Sequence, residues 1–289
     1  GALNRTWQFL CRKKGLKYIQ HPVPLPVSSH TDLVDHFCSG ITDRTRVIFI
    51  SHITSPTALT FPVKEVCRIA RNAGILSIID GAHAPGQLPL DMAEIGADFY
   101  AGACHKWLMS PKGASFLHVR KEVQDWLEPL VISWGYESDH PSGSRLIDHH
   151  EWQGTRDLAA FLSVPAAIDF QIQENWAQVR QYCHQLAVQT RARLLRIPGI
   201  APISPTGIGL IEQPRQTWFQ QMFSVRLPDL PDPENFQTRL YSIYQIEVPV
   251  IRWNNKNLLR VSLQGYNGQS DTDSLVEAVQ KEIGLYATS

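Results

Sequence analysis

Three short groups of polar residues within positions 80–113 hold the side chains with the clearest chemical use: Asp80-Gly81-Ala82-His83, His105-Lys106 and Pro111-Lys112-Gly113. A lysine that follows a buried strand so closely needs an explanation, because burying an unpaired ammonium is costly. A lysine joined to an aldehyde cofactor as a Schiff base is no longer an ammonium, and it acts as a covalent catalyst. The spacing therefore favours Schiff-base chemistry.

Pyridoxal phosphate (PLP) is an aldehyde cofactor of this kind, and its needs match residues of the same stretch. Its pyridine nitrogen needs a carboxylate that keeps it protonated, and Asp80 has the right type at the end of an apolar run. His83 is a candidate donor to the ring hydroxyl. Taken singly, the Asp-Gly pair is also typical of a turn, His83 of a structural histidine and Lys106 of a surface lysine. Their joint spacing favours the cofactor interpretation.

The elements around these residues predict βαβ units and a mostly parallel sheet. A helix is predicted at Val63–Asn72, and four short apolar runs are predicted as strands: Val47–Ser51, Ile75–Ile79, Asp98–Ala103 and Ala114–Val119. In such sheets the chemistry gathers at the carboxyl ends of the strands. We therefore expect Asp80 and Lys106 to lie close together.

The second half of the chain predicts a different organisation. Residues 121–157 lack periodicity and are rich in tryptophan, and helices are predicted over 158–195. An α+β unit follows, with strand Phe223–Leu227, helix Asp232–Tyr244, strands Ile246–Trp253 and Leu258–Leu263, and helix Thr272–Ile283. We therefore divide the chain into a large domain over 1–184 and a small C-terminal domain over 185–289.

Composition excludes several classes of function. Lys plus Arg and Asp plus Glu number 27 each, so no basic surplus favours nucleic acid, and no apolar run is long enough for a membrane span. The five cysteines are scattered without CxxC spacing, which disfavours disulfides and favours a cytoplasmic protein. A zinc site at His140, His149 and His150 is disfavoured because no HExxH spacing is present, and we expect no metal.

Residues 80–90 and 95–119 resemble the class V aminotransferase branch of the fold-type I PLP-dependent enzymes, most closely the isopenicillin N epimerase-like proteins. Residues 150–157 and 259–262 continue the resemblance. It implies a PLP-binding large domain, a mostly parallel sheet with helices on both faces, and a small α+β C-terminal domain. It also implies that the family's N-terminal segment, with a phosphate loop and a ring-stacking residue, falls before Gly1.

The resemblance assigns a role to each matching position. Lys106 would form the Schiff base and move the substrate α-proton, while Asp80 would pair with the pyridine nitrogen. The other implied contacts are His83 to the ring hydroxyl, His105 to the phosphate, Thr54 and Ser55 near the cofactor, and Arg260 to the substrate carboxylate. Gly154 and Thr155 match a segment that reaches the phosphate of a partner subunit. A homodimer with shared active sites is therefore implied.

The function expected from these residues is PLP-dependent chemistry on a small amino acid or amino-acid derivative through a Lys Schiff base and a Cα carbanion. Epimerase, aminotransferase and lyase outcomes stay open, with the resemblance slightly favouring an epimerase. A cysteine desulfurase is disfavoured because no cysteine follows Cys183 to act as the nucleophile. The alternative is an inactive remnant that acts as a binding or scaffold protein. One reason to keep this alternative is that Ala103 stands where many relatives have a phosphate-binding hydroxyl.

Overall fold

A computed structural model of the chain describes residues 1–206 and 217–287. The first part contains α1 (Ala2–Lys14), α2 (His30–Cys38), β1 (Val47–Ser51), α3 (Val63–Asn72), β2 (Leu76–Asp80), α4 (Met92–Ile95), β3 (Phe99–Ala103), β4 (Ser115–Val119), a 3-10 helix (Lys121–Trp126), α5 (Arg145–Glu151), α6 (Ala159–Leu162), α7 (Val164–Gln173) and α8 (Trp176–Leu194). The second contains β5 (Ala201–Pro202), β6 (Met222–Arg226), α9 (Pro233–Tyr244), β7 (Val250–Trp253), β8 (Lys256–Ser262) and α10 (Gln269–Ala287).

The first sheet has the order β1-β2-β3-β4. Strands β1, β2 and β3 are parallel, with Ser51 opposite Asp80 and Asp80 opposite Ala101, while β4 pairs antiparallel with β3. The predicted mostly parallel sheet is therefore confirmed. Because parallel strands end at one edge, the residues that follow β1, β2 and β3 meet there.

Helix α3 shows why the βαβ pattern could be identified from the sequence. Its buried residues Val63, Val66, Cys67 and Ala70 recur at helical spacing on one face. The helix ends just before Gly74, whose φ of +67° favours glycine. Its apolar face packs on β1 and β2, so the crossover between the two parallel strands is held against the sheet.

The second sheet is antiparallel, with the order β5-β6-β8-β7. Helices α8 and α10 contact each other, and α8 also contacts β6. One continuous cluster of buried apolar residues joins both sheets, from Ile79 and Tyr100 in the first to Phe223 and Leu259 in the second. The predicted domain division at 184/185 falls inside the continuous helix α8 and stays a prediction.

Several element boundaries differ from the predictions. The strand predicted over Ile75–Ile79 is shifted by one residue, and the strand predicted over Ile246–Trp253 begins only at Val250. Ile246 donates its backbone N–H to Leu240 O at the end of α9, and its side chain packs against the core. Its apolar character therefore reflects packing rather than strand pairing. Helices α1 and α2 were not predicted.

No helix within the described ranges is both long enough and apolar enough to cross a bilayer.

Candidate active site

Asp80 and Lys106 lie at the same edge of the first sheet. Asp80 is the last residue of β2, and Lys106 follows the end of β3 by three positions. The Asp80 carboxylate accepts hydrogen bonds from the backbone N–H of Ala82 at 3.0 Å and from Ser51 Oγ at 3.3 Å. These two donors fix the orientation of the carboxylate at the strand end.

The His83 ring lies between the side chains of Lys106 and Trp107, which are consecutive in the chain. The Lys106 Nζ atom is 3.2 Å from His83 Nε2, and the indole Nε1–H of Trp107 donates to His83 Nδ1 at 3.3 Å. The turn that follows β2 is thus joined to the turn that follows β3. The sequence singled out both His83 and Lys106 as candidate site residues, but not Trp107.

Arg260 reaches this edge from the second sheet. It lies in β8, and its Nη1 donates to the backbone oxygen of Ser55 at 2.9 Å and to Ser55 Oγ at 3.0 Å. The adjoining strand also holds this loop, because Ser224 Oγ in β6 donates to Pro56 O at 3.0 Å. The guanidinium Nε of Arg260 is buried and has no hydrogen-bond partner among the residues that the structure describes. It is therefore available to a bound anion.

The electrostatics of the cluster favour an anionic ligand. Burial, followed by the charges of Lys106 and Arg260, lowers the pKa of His83 to about 3. Although Lys106 is exposed as a whole, desolvation lowers its pKa, an effect that Asp80 opposes and Arg260 reinforces. Burial also lowers the pKa of Arg260. Desolvation thus disfavours the charged forms of His83, Lys106 and Arg260 together, and an anion bound beside them would stabilise their positive charge.

The backbone beside Lys106 is held by two neighbouring elements. Gln171 in α7 donates its side-chain N–H to Trp107 O at 3.0 Å. On the other side Gly86, with φ of +86°, packs so closely that a Cβ there would overlap the Trp107 carbonyl and lie 2.5 Å from Leu108 N. Only glycine fits both the conformation and the space at this position.

We predict that Gly86→Ala destabilises the fold and disturbs the Lys106 turn. The left-handed conformation costs an L-residue about 1–2 kcal/mol, and overpacking adds about 1–3 kcal/mol. Urea unfolding measures the loss. The control is Gly74→Ala, where φ is +67° but nothing lies within 4 Å of the added Cβ. Equal losses in the two variants would mean that the close approach at Gly86 has no energetic role.

A second pair of polar residues, not identified from the sequence, lies beside Asp80. His52 Nδ1 is 2.9 Å from Tyr100 Oη, and the His52 backbone N–H donates to Asp80 O at 2.8 Å. Tyr100 is fully buried, so burial raises the pKa of its hydroxyl, and burial lowers the pKa of His52 to about 4. The Tyr100 hydroxyl and the neutral His52 ring therefore share a hydrogen bond.

The lowered pKa of His52 predicts that the fold becomes less stable in acid. The folded-state pKa of His52, about 4, lies below its ordinary 6.5, so between these pH values the unfolded chain binds more protons. The unfolding free energy should fall as pH decreases through this window, by about 2–3 kcal/mol from His52. Chemical denaturation at several pH values measures the slope. His52→Asn should flatten it and the same change at the exposed His140 should not; an unchanged slope in His52→Asn would contradict the assignment.

The remaining predicted site residues make other contacts. The ring of His105 is hydrogen-bonded through Nδ1 to Ala114 O at 3.2 Å. The Thr54 hydroxyl bonds within its own loop, to Thr57 Oγ1 at 2.5 Å and to Leu59. Gly154, with φ of +93°, and Thr155 follow α5. Among the residues that the structure describes, no hydrogen bond connects these four with Asp80, Lys106 or Arg260.

The histidines considered for zinc lie elsewhere. The His149 ring packs against Tyr136, with ring centroids 4.8 Å apart. Within residues 1–206 and 217–287, no group of three or more His, Cys, Asp or Glu side chains could hold a metal ion.

Comparison with known proteins gives consistent matches. The sequence profile described as Aminotransferase class-V matches residues 2–210. The chain is 36% identical to isopenicillin N epimerase from Amycolatopsis lactamdurans over 285 residues, covering 95% of this chain and 70% of that protein. It is 28% identical to putative L-cysteine desulfhydrase 1 from Oryza sativa subsp. japonica, covering 100% of this chain and 64% of the relative.

Solved structures agree on the fold. A cysteine desulfurase from Thermococcus onnurineus superimposes with a TM-score of 0.77 at 18% identity, covering 98% of this chain and 69% of that chain. A cysteine desulfurase from Escherichia coli gives 0.75 at 20% identity, covering 97% and 69%. At these identities the likeness establishes the fold alone.

The fold and the strand-end cluster define a PLP-dependent enzyme of fold type I. The residues present suit this cofactor, because a carboxylate, a primary amine and an unpaired buried guanidinium N–H converge at one sheet edge. The chain belongs to the class V aminotransferase family, with isopenicillin N epimerases among its relatives. The family and the cofactor predicted from the sequence are thereby confirmed.

Proposed function

We propose that the protein exchanges the proton at Cα of an amino acid or amino-acid derivative, with epimerisation as the outcome. The observation that supports this most directly is the contact of Lys106 Nζ with His83 beside the fixed Asp80 carboxylate, with Arg260 close by. A proton carrier, a ring anchor and a carboxylate receptor are the three groups that such a reaction needs.

Each residue has a distinct task in this proposal. Bound PLP withdraws electrons from Cα and so acidifies the Cα–H bond. The Lys106 amine holds the cofactor and carries the proton at Nζ. Asp80, oriented by Ser51 and Ala82, pairs with the pyridine nitrogen, while Arg260 binds the substrate α-carboxylate through its planar fork.

The remaining candidates are assigned to the cofactor's periphery. We place His83 at the ring hydroxyl and His105 at the phosphate, where its Nε2 is left available because Nδ1 faces Ala114 O. Ser55, which already holds Arg260, lies near the cofactor together with Thr54. The role proposed for His83 is supported by its contact with Lys106, and the role of Ser55 by its contact with Arg260. The roles of His105 and Thr54 rest on the family resemblance.

Epimerisation is favoured over desulfuration on two grounds. The isopenicillin N epimerases match 95–96% of this chain at 32–36% identity. Desulfuration needs a thiolate, but the last cysteine in the sequence is Cys183, which is fully buried, and burial raises its pKa. Burial also raises the pKa of Cys104, which precedes Lys106 by two positions in the chain.

The test uses the purified protein with added PLP in D₂O. Visible absorbance that borohydride bleaches reports attachment of the cofactor to an amine. Candidate amino acids and amino-acid derivatives, including isopenicillin N, the compound in the names of the epimerase relatives, are then examined for deuterium at Cα and for chirality. Deuterium uptake with loss of chirality supports epimerisation, whereas a keto acid or loss of a β-substituent indicates another reaction. Failure to bind PLP would contradict the proposal and support the inactive remnant.

We further propose that the active unit is a homodimer. Exposed large apolar side chains are concentrated over residues 126–172, including Leu130, Trp134, Leu162 and Ile172, all four more than two-thirds exposed. Apolar surface of this extent favours an interface. The Gly154-Thr155 segment belongs to the same region, which agrees with its proposed role at the phosphate of the partner subunit.

We predict that Trp134→Glu weakens this dimer, because a charge would enter an apolar contact. Sedimentation should show a dimer for the wild type and a dissociation constant raised by at least about 10-fold in the variant. PLP retention on dilution should fall in parallel. Trp253→Glu, on β7 outside this region, is the control. A wild-type monomer that retains PLP tightly would contradict shared sites.

A further inference from the structure

We propose that Trp107 is a positioning residue that fixes the tautomer of His83, so that His83 Nε2–H is presented to Lys106 and stabilises its uncharged amine. This inference rests on the proposed placement of Lys106 and His83 in the active site. It adds a role for Trp107, which follows the reactive lysine directly in the chain.

The geometry restricts where the protons can be. The indole Nε1–H of Trp107 can only donate, so His83 Nδ1, at 3.3 Å, must offer its lone pair. A neutral imidazole has one ring proton, which then lies on Nε2. Because Lys106 Nζ is 3.2 Å from Nε2, the lysine is the acceptor in this contact. An ammonium has no lone pair, so the arrangement selects the free amine.

The indole is held rigidly in this orientation. Trp107 is 8% exposed and packs in a small apolar cluster with Ile53 and Ala58 from the segment after β1 and with Met222 from β6. Its backbone oxygen is held by Gln171, and Gly86 packs against its carbonyl group. The N–H of Trp107 therefore cannot turn away from His83 without repacking this cluster.

The surroundings of His83 and Lys106 also favour the uncharged forms of both side chains. Burial and the nearby Lys106 and Arg260 lower the pKa of His83 to about 3, which leaves its ring neutral near pH 7. Desolvation and Arg260 lower the pKa of Lys106, while Asp80 alone opposes them. An uncharged Lys106 is the form that can attack an aldehyde or accept a proton.

The tautomer of His83 can be measured directly. Long-range ¹H–¹⁵N correlation spectra of the full chain with ¹⁵N-labelled histidine distinguish a protonated from an unprotonated ring nitrogen, and His83→Gln assigns the signals. Spectra are recorded after removal of PLP, so the result does not depend on turnover. We expect an unprotonated Nδ1 and a protonated Nε2 in the wild type. A protonated Nδ1 would overturn the inference.

Two variants separate the hydrogen bond from the packing. Trp107→Phe removes the indole N–H and should mix the two tautomers of His83. Trp176→Phe is the matched control, because Trp176 is also 8% exposed but its buried Nε1 has no hydrogen-bond partner within the described ranges. If Trp107→Phe does not fold, 3-benzothienylalanine at position 107 keeps the ring shape without the N–H. A folded protein that lacks the N–H but has the wild-type tautomer would overturn the inference.

A second readout follows Lys106 itself. Pulse acylation of the PLP-free protein across a range of pH, with peptide mass spectrometry, gives the amine fraction of Lys106. Loss of the Trp107 N–H should lower that fraction about three- to tenfold at a given pH, and Trp176→Phe should not. An unchanged fraction would overturn the effect on Lys106. Borohydride attachment of PLP tests the proposed function separately.

Discussion

Lys106→Ala is expected to abolish covalent attachment of PLP and to reduce Cα–H exchange by at least about 10³-fold. Proton transfer by a positioned group alone contributes about 10²–10⁴-fold, and this variant also loses the amine that holds the cofactor. Borohydride reduction followed by peptide mapping should find the pyridoxyl group on Lys106 in the wild type and on no residue of the variant. Deuterium exchange at Cα gives the rate in both proteins.

The control for this variant is Lys112→Ala. Lys112 lies in the next turn, is exposed and belongs to the same PKG block that the sequence singled out. Its replacement should leave attachment and exchange near wild-type values. Because Lys106 is also exposed as a whole, its variant should unfold at a similar urea concentration. A Lys106→Ala protein that retained the wild-type visible absorbance would refute the assignment.

The sequence predicted the elements that local periodicity determines. Strand β1 and helix α3 were predicted with the bounds that the structure shows, because a buried apolar run and a one-sided helical pattern are local properties. The proximity of Asp80 and Lys106 also followed, since neighbouring parallel strands end at one edge. This part of the site needed only strand order and spacing.

Contacts between distant segments could not be predicted in the same way. Arg260 and Ser55 are 205 positions apart, and only the packing of the two sheets brings them together. The pairing of His52 with Tyr100 likewise depends on the register between strands rather than on a motif. The resemblance to a family suggested a role for Arg260, but no residue pattern indicated that Ser55 would hold its guanidinium.

The missed role of Trp107 has a different cause. A tryptophan next to Lys106 was visible in the sequence, but its size and apolar character made it an ordinary core residue. Its N–H gains a chemical use only because the turn after β2 places His83 Nδ1 within 3.3 Å. Helices α1 and α2 were also missed; Cys11 is the one buried residue of α1, and Leu33 and Val34 are the two of α2.

Arg260→Leu is expected to reduce kcat/KM by about 10²–10³-fold, mainly through a higher KM. A bidentate guanidinium–carboxylate pair in a partly desolvated site is stronger than a neutral hydrogen bond. In the described part of the chain, the Arg260 Nε is buried without a partner. Arg260→Lys should recover only part of the loss, because an ammonium cannot reproduce the planar fork. Steady-state kinetics with the substrate identified by the exchange assay measures these effects.

The sharpest control for Arg260 changes the ligand rather than the protein. An amine analogue without the α-carboxylate should bind the wild type and Arg260→Leu about equally, since it lacks the group that the guanidinium recognises. Arg252→Leu, an exposed change in β7, should leave KM for the complete substrate unaltered. If Arg260→Leu weakened both ligands equally, Arg260 would act by holding Ser55 and its loop through the 2.9 and 3.0 Å contacts, and the carboxylate receptor would have to be sought elsewhere.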